Sequence, residues 1–517
     1  MKKKLLPLAI LAGLAGAAGT AQAVHVNSEG LGETLIYPFY SAESANDTYV
    51  TVVNTTNKAK AVKVRFLEAM NSKEVLDFNL YLSPYDHWAG AITRGEGDVG
   101  AKLVTGDTSC TVPAIPAEGQ PFRKSEFSDD SVNGLERTLE GYVEVIEMGE
   151  LGEIASDGTI TEYGTTNIGA TADTKHGADG SAPNCSVVTA AWVKNGASAT
   201  NFDGTAITGT EAWGVLRGTS SVGDPEVNLD VPGGGLYGYG VIINTEEGTN
   251  ATYDAIALDN FYDGFTIQHT TPGSLDPGLD SGMAVSAFFD GGDVVETVFD
   301  SSNGVAAGLN AVSSLFMHKD ISNDYVTSYS IEAGTDWVLN MPTKQLYVNQ
   351  TPVVAPFTNT WDTAESVACE VIGMAYWDRE EQDPTVPPVT GELDFSPLPE
   401  LDEVEIDPSS VCAEASILSF YNPEENADVG HISPLESSTR ITYGFTPEFD
   451  KGWARIDFTT QAGRTLEGSD ADSGLNRVFN GLPVVGFAVQ KYTNNNVSSY
   501  FAGTSEHKST RWIENSN

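Results

Sequence analysis

Residues 61–84 read AVKVRFLEAMNSKEVLDFNLYLSP. In Val62-Lys63-Val64-Arg65-Phe66 apolar and charged residues alternate strictly. The alternation returns through Leu76-Asp77-Phe78-Asn79-Leu80-Tyr81-Leu82, where the even positions point inward. A period of two places successive side chains on opposite faces, so this pattern reads as antiparallel strands covered on one face. Working outward, Tyr49 to Val53 is β-branched and aromatic and ends in the turn cluster Asn54-Thr55-Thr56-Asn57. Gly141 to Ile146 adds a strand with Val143 and Val145 inward and Glu144 outward. Strand-like runs recur at Trp213–Leu216, Tyr239–Ile243, Tyr325–Ile331, Trp337–Val348 (broken by Pro342), Ile417–Tyr421, Ala454–Phe458 and Val484–Gln490. Helical patterns are scarce, and Ser281–Phe289 is the best candidate. The fold class expected is all-β: an antiparallel β-sandwich, Ig-like or jelly-roll-like, with long irregular insertions.

Two insertions stand out. Residues 152–211 are rich in Gly, Ala, Thr, Ser and Asp with little periodicity. Residues 378–411 hold six prolines and eleven acids against one base, a composition that favours a solvated loop over a core. The division expected is a signal segment at 1–23, an N-terminal sandwich at 24–230 and a C-terminal β-rich region at 231–517.

The first 23 residues have the anatomy of a secretory signal. Lys2, Lys3 and Lys4 precede an apolar run from Leu5 to Ala18, and Ala21-Gln22-Ala23 is a small-x-small cleavage pattern. The competing reading, a membrane anchor, needs a longer apolar run. No later stretch is apolar enough to span a bilayer. Export sets the context for Cys110, Cys185, Cys369 and Cys412, an even set that permits three connectivities. Cys110–Cys185 and Cys369–Cys412 are favoured because each pair brackets one irregular insertion. A metal site is the alternative, and no CxxC spacing supports it.

The 517 residues carry 27 Lys+Arg against 72 Asp+Glu, a net charge of −45 that becomes −48 once the signal is removed. Such a chain is repelled by nucleic acid and anionic lipid. With 40 % hydrophobic residues it has the means to build packed cores.

Several segments resemble a group of uncharacterised exported bacterial proteins described as cell-surface proteins. Residues 61–84 carry most of the likeness, with GYVEVIEMGEL (141–151), TDWVLNMPTKQLYV (335–348) and WDREE (377–381) in support. The resemblance implies location and class, and brings no reaction with it.

Motifs that carry chemistry are few. Gly95–Gly100 and Gly233–Gly238 match G-x-G-x-x-G, yet neither sits between a strand and a helix as a dinucleotide site requires. The histidines are scattered, and His87, between Asp86 and Trp88, is the only suggestive neighbourhood. A Ser-His-Asp set assembled in space stays open, because triads are defined by geometry. Asp470, Asp472 and Asn476 place oxygens at alternate positions around Gly474, as in the first half of a calcium loop, but position 481 is Gly where a bidentate Glu belongs. Asp290-Gly-Gly-Asp293 is a weaker version of the same idea. Tyr237, Tyr239 and the pair Tyr376-Trp377 are the aromatic clusters that could face a sugar ring.

These readings lead to an exported, non-enzymatic structural or adhesive protein of the cell surface or medium, assembling through divalent cations such as calcium, with self-association or cell-envelope components as partners. The alternative is a secreted polysaccharide-binding or polysaccharide-degrading protein. A periplasmic location is the alternative to the outside of the cell.

Overall fold

Period-2 patterning produces strands throughout the chain. The computed structural model describes residues 23–516 except 96, 98, 128–131, 164–169, 191–228, 263–268, 271, 303, 381–408, 423–430, 446–447 and 494–499. The expected signal segment up to residue 22, the strand expected at Trp213–Leu216 and most of the acidic insertion lie outside the described residues.

Two antiparallel sheets form the N-terminal sandwich. The first runs His25–Val26, Ile256–Asp259, Thr34–Ser41, Glu140–Ile154, Lys58–Glu68, Glu74–Leu82 and Cys110–Val112. The second runs Thr249–Asp254, Tyr239–Asn244, Asn46–Asn54, His87–Arg94, Ala101–Val104 and Gln120–Pro121. Val62, Val64, Phe66, Phe78, Leu80, Val143 and Val145 from the first sheet meet Val50, Val52, Trp88, Ile92 and Leu103 from the second in one buried cluster. The alternation read from residues 62–82 thus supplies this core. The all-β, sandwich-type class is what the structure shows.

The other face of the first sheet is not the solvated face that the alternation suggested. Lys63, Arg65 and Glu144 are 0 %, 8 % and 2 % exposed. Residues 269–270 and 272–282 cover them: Lys63 Nζ donates to the Ser274 carbonyl at 2.7 Å, Asn79 Nδ2 to the Thr270 carbonyl at 2.8 Å, and the Gly273 amide to Asp77 at 2.7 Å. Beneath this cover Lys63 pairs with Asp77, and Arg65 bridges Glu74 at 2.7 Å and Glu144 at 2.9 Å. Charges survive burial here because each finds a partner. Carboxylates still outnumber cations, and burial pushes Glu144 up to about 7 despite Arg65.

Strands from residues 236–259 complete both N-terminal sheets, so pairing does not break at residue 230 as the expected division had it. In the C-terminal half, one sheet runs Ser409–Val411, Glu370–Asp378, Lys451–Asp457, Asp320–Val326 and Lys508–Thr510. Another runs Ile441–Gly444, Ala415–Tyr421, Gly334–Asn340, Phe487–Thr493 and Tyr500–Glu506, with its first two strands parallel. Ile321, Tyr325, Ile372, Tyr376 and Ile456 face Trp337, Leu339, Leu418 and Phe420 across the space between them. The second of these sheets also buries its opposite face on the N-terminal sandwich. Val338, Ile417, Phe487 and Val489 join the N-terminal cluster, and Phe487 stacks on Tyr253 at 4.6 Å. The two halves therefore share a core.

Ser281–Phe289 is not a helix. Val285–Asp290 is a strand paired with Asp293–Val298, and Gly291 and Gly292, at φ of 58° and 102°, make the tight hairpin between them. The helix expected there lies further on, at Ala307–Phe316, with every residue from Gly308 to Phe316 buried. Its polar residues, Asn310, Ser313 and Ser314, share one stripe at i, i+3 and i+4 that is buried rather than solvated, and they are small or uncharged, so the stripe does not stand out in the sequence. Its inward Asn310 and Ser313 are satisfied by the Tyr347 hydroxyl at 2.8 and 2.9 Å.

Candidate functional site

Cys110 is joined to Cys185 and Cys369 to Cys412, the pairing favoured from spacing. The first bond pins the short helix Cys185–Ala190 onto the first sheet, where Val188 packs with Tyr81, Met148 and Leu151. Two disulfides belong to an oxidising environment. Among the described residues no helix is long and apolar enough to cross a membrane.

One candidate site arises on the outer face of the sheet carrying Lys451–Asp457. Trp377 and Trp453 lie opposite one another on neighbouring strands, and Asp324 opposes Trp453 on the next. The indole rings stack at 4.1 Å with an interplanar angle of 16°, and the Arg455 guanidinium lies over Trp377 at 5.5 Å. Face-to-face stacking across adjacent strands stands both rings on edge, which leaves one face of Trp453 looking away from Trp377. Trp453 is 40 % exposed. It forms one wall of a cleft of about 420 Å³ lined also by Ser322, Asn323, Asp324, Ser505, Glu506 and Lys508. Ser505 Oγ donates to Asn323 Oδ1 at 2.9 Å, which holds the far wall in place. Glu506 and Lys508 point into solvent 3.9 Å apart. An apolar ring wall facing carboxylates, hydroxyls and an ammonium group suits a ligand with one apolar face and many hydroxyls.

The other candidate residues have structural roles. Asp470 starts a hairpin turn in which one oxygen accepts the Ser473 amide at 2.7 Å and its hydroxyl at 2.6 Å, while the other pairs with Arg477. Both oxygens of Asp470 are thus engaged within the hairpin, and Asp472 and Asn476 are exposed. Asp290-Gly-Gly-Asp293 is likewise a hairpin tip. Among the described residues no group of three or more His, Cys, Asp or Glu is placed to hold a metal ion.

The Gly95–Gly100 motif is the turn between His87–Arg94 and Ala101–Val104, closed by the Gly95 amide on the Gly100 carbonyl at 2.8 Å. The Gly233–Gly238 motif does cradle an anion, but an internal one: the amides of Gly233 and Gly234 donate to Glu147 at 3.2 and 2.9 Å, opposite Lys60 at 2.7 Å. His87 is exposed, and its neighbour Asp86 accepts the Ser83 amide at 2.9 Å to close the turn before it. Tyr237 and Tyr239 stand partly exposed on the second sheet.

A serine, a histidine and an aspartate do come together in space, in the wrong order for a triad. Ser419 Oγ lies between Asp336, to which it donates, and His431 Nε2 at 2.9 Å. In a nucleophilic triad the imidazole stands between the carboxylate and the hydroxyl. Here Ser419 is fully buried, and Asp336 also accepts from Ser433 Oγ at 2.6 Å and the Leu435 amide at 2.8 Å. Burial pushes His431 down to about 4. This network ties residues 431–435 to the sheet.

Sequence reasoning singled out Trp377 but missed Trp453. The signal was present: Trp453 continues the outward series Arg455 and Asp457 by one more alternation.

Fold and site together define an all-β, disulfide-bonded protein of sandwich type with a tryptophan-walled cleft. No protein-family model, curated protein or solved structure matches the chain.

Proposed function

We propose that this chain is an exported adhesive β-protein of the cell surface or medium, and that it holds polysaccharide without cleaving it. The observation that carries this reading is the free face of Trp453, braced by Trp377 and set against Asp324, Ser322, Glu506 and Lys508. A sugar ring presents C–H groups to an indole face and hydroxyls to the polar wall. The two disulfides and the likeness of residues 61–84 to exported cell-surface proteins support the location.

A glycan array probed with the mature chain, paired with a reducing-end assay on the best ligands, tests this reading. Binding to neutral glycans without release of reducing ends is expected. An array blank at every glycan would remove the reading, and reducing ends released by wild type but not by Asp324→Asn or Glu506→Gln would replace it with a degradative one.

A further inference from the structure

Ser505, one wall of the tryptophan cleft, belongs to a strand that carries a second aromatic platform. That strand, Tyr500–Glu506, is the last of its sheet. Side chains alternate along a strand, so Ser505, Gly503 and Phe501 share one face. Phe501 is 43 % exposed, and Tyr492, directly opposite it on Phe487–Thr493, is 42 % exposed. Their rings stack at 6.1 Å with an interplanar angle of 26°. The arrangement repeats that of Trp453, an exposed ring braced by its neighbour on the adjoining strand.

Between the two platforms the floor is bare. Ser505 and Phe501 are four residues apart, about 13 Å at the rise of a strand. Gly503 lies between them, exposed, and a Cβ added there would meet nothing within 4 Å. Glycine inside a strand costs stability and marks a bulge, a close approach of another backbone, or a close approach of a ligand. The register from Phe487 to Thr493 against Tyr500 to Glu506 runs unbroken, which removes the bulge. The empty space over Gly503 removes the second backbone. A ligand is the reason that stays. The strand is also pinned from both sides: Ser505 Oγ donates to Asn323 Oδ1 at 2.9 Å, and Thr504 Oγ1, on the opposite face, donates to the Thr252 carbonyl at 2.6 Å. At the far end the Tyr500 hydroxyl donates to Glu332 at 3.2 Å. The fold therefore sets the spacing of the platforms before any ligand arrives.

We infer that the binding site at Trp453 continues along Tyr500–Glu506 to Phe501, and that its ligand is an extended, uncharged β-1,4-linked polysaccharide lying over Gly503. This inference rests on the saccharide reading of the Trp453 cleft and names the substrate class for it. A β-1,4 linkage keeps a sugar chain straight, so apolar ring faces recur along one line, as the two platforms do. An α-1,4-linked glucose chain coils away from a straight strand. Asp324 and Glu506 in the cleft, Glu332 beside Tyr500 and the net charge of −45 repel a polyanion.

The test is calorimetric titration of the mature protein with β-1,4-linked oligomers of glucose, mannose and N-acetylglucosamine, from disaccharide to hexasaccharide, with α-1,4-linked glucose oligomers as controls. In at least one β-linked series affinity should rise about ten-fold with length, the gain expected when a second stacked ring is reached. The α-linked series should show no such rise. Phe501→Ala removes the far platform and Gly503→Thr covers the floor. Each should flatten the rise while leaving the disaccharide affinity and the thermal midpoint near wild type, whereas Trp453→Ala should weaken every length. Affinity that does not grow with length, a rise that survives both Phe501→Ala and Gly503→Thr, or an equal rise in the α-linked series would each overturn the extended site. In those cases disaccharide binding that Trp453→Ala removes leaves the cleft itself standing. Failure of every β-linked oligomer to bind also overturns the inference, and the glycan array then judges the cleft alone: a hit lost in Trp453→Ala keeps it, and a blank array removes it.

Discussion

Replacing Glu140 by Gln should change stability by an amount that depends strongly on pH. Glu140 is 3 % exposed at the junction of the two halves. One carboxyl oxygen accepts from the hydroxyls of Ser437, Ser438 and Thr439 at 3.0, 3.3 and 3.2 Å, and the other is buried with no partner. No cation faces it. Burial therefore dominates, reinforced by the charge of Glu43 and opposed by the Ser437 hydroxyl, and the carboxyl is pushed from 4.5 to about 7. The native state thus binds this proton more tightly than the unfolded chain does. The stability it contributes is complete below pH 4.5 and is lost as pH rises through 7. Between pH 5 and pH 8 the loss amounts to about 2–3 kcal/mol. Gln cannot ionise, so the variant escapes that loss, while its amide leaves two buried N–H donors facing the unpartnered side, at about 1 kcal/mol or more. Guanidinium denaturation of both proteins at pH 5, 6, 7 and 8 should show the variant less stable than wild type at pH 5 and at least equal to it at pH 8. A stability difference that stays flat across this range would refute the reasoning.

Three further outcomes follow from the same physics. His269, His318, His431 and His507 are all held neutral by burial, His269 and His318 down to about 3 and the others to about 4, so each contributes stability that is present above pH 6.5 and lost as pH falls below it, opposite in sign to Glu140 and Glu144; His507→Gln should therefore lose less stability than wild type between pH 6.5 and 4.5 in the same denaturation series. Arg65→Met strands Glu74 and Glu144 beneath the cover of residues 269–270 and 272–282, and should lower stability by about 3–5 kcal/mol at pH 7, less at pH 5 where the carboxyls protonate in place. Reducing the disulfides, which span 75 and 43 residues, should remove about 4 kcal/mol each on the chain-entropy account, read as the drop in denaturation midpoint with and without reductant.

What the sequence revealed and what it concealed divide along a physical line. Val62, Val64 and Phe66 declare a buried strand face because side-chain period is a local property, and they line the core as read. Lys63 and Arg65 declare a solvated face by the same logic and are nevertheless buried. Their cover comes from residues 269–270 and 272–282, some two hundred positions away, and nothing local announces it. The strand Val285–Asp290 occupies the stretch expected as a helix at Ser281–Phe289, because Val285 to Phe289 is an apolar run too short for its period to separate strand from helix. The tryptophan cleft was half visible. Trp377 stands out as an aromatic neighbour of Tyr376, but its partner Trp453 lies in a different strand, and strand pairing over such distances is a tertiary fact. The partner of Asp470 was hidden for a similar reason: Arg477 lies across the hairpin, and alternation of oxygens along the chain says nothing about a guanidinium arriving from the facing strand.

The central claim is that the free face of Trp453 receives a sugar ring, and tryptophan fluorescence during titration with the best array ligand tests it most directly. Wild type should show a saturable change in intensity. Trp453→Ala should abolish both the change and binding by calorimetry, while Trp512→Ala, which removes a comparably exposed indole at 43 % from another sheet, should leave both as in wild type. Undiminished affinity in Trp453→Ala, with the fold confirmed by an unchanged denaturation curve, would contradict the account.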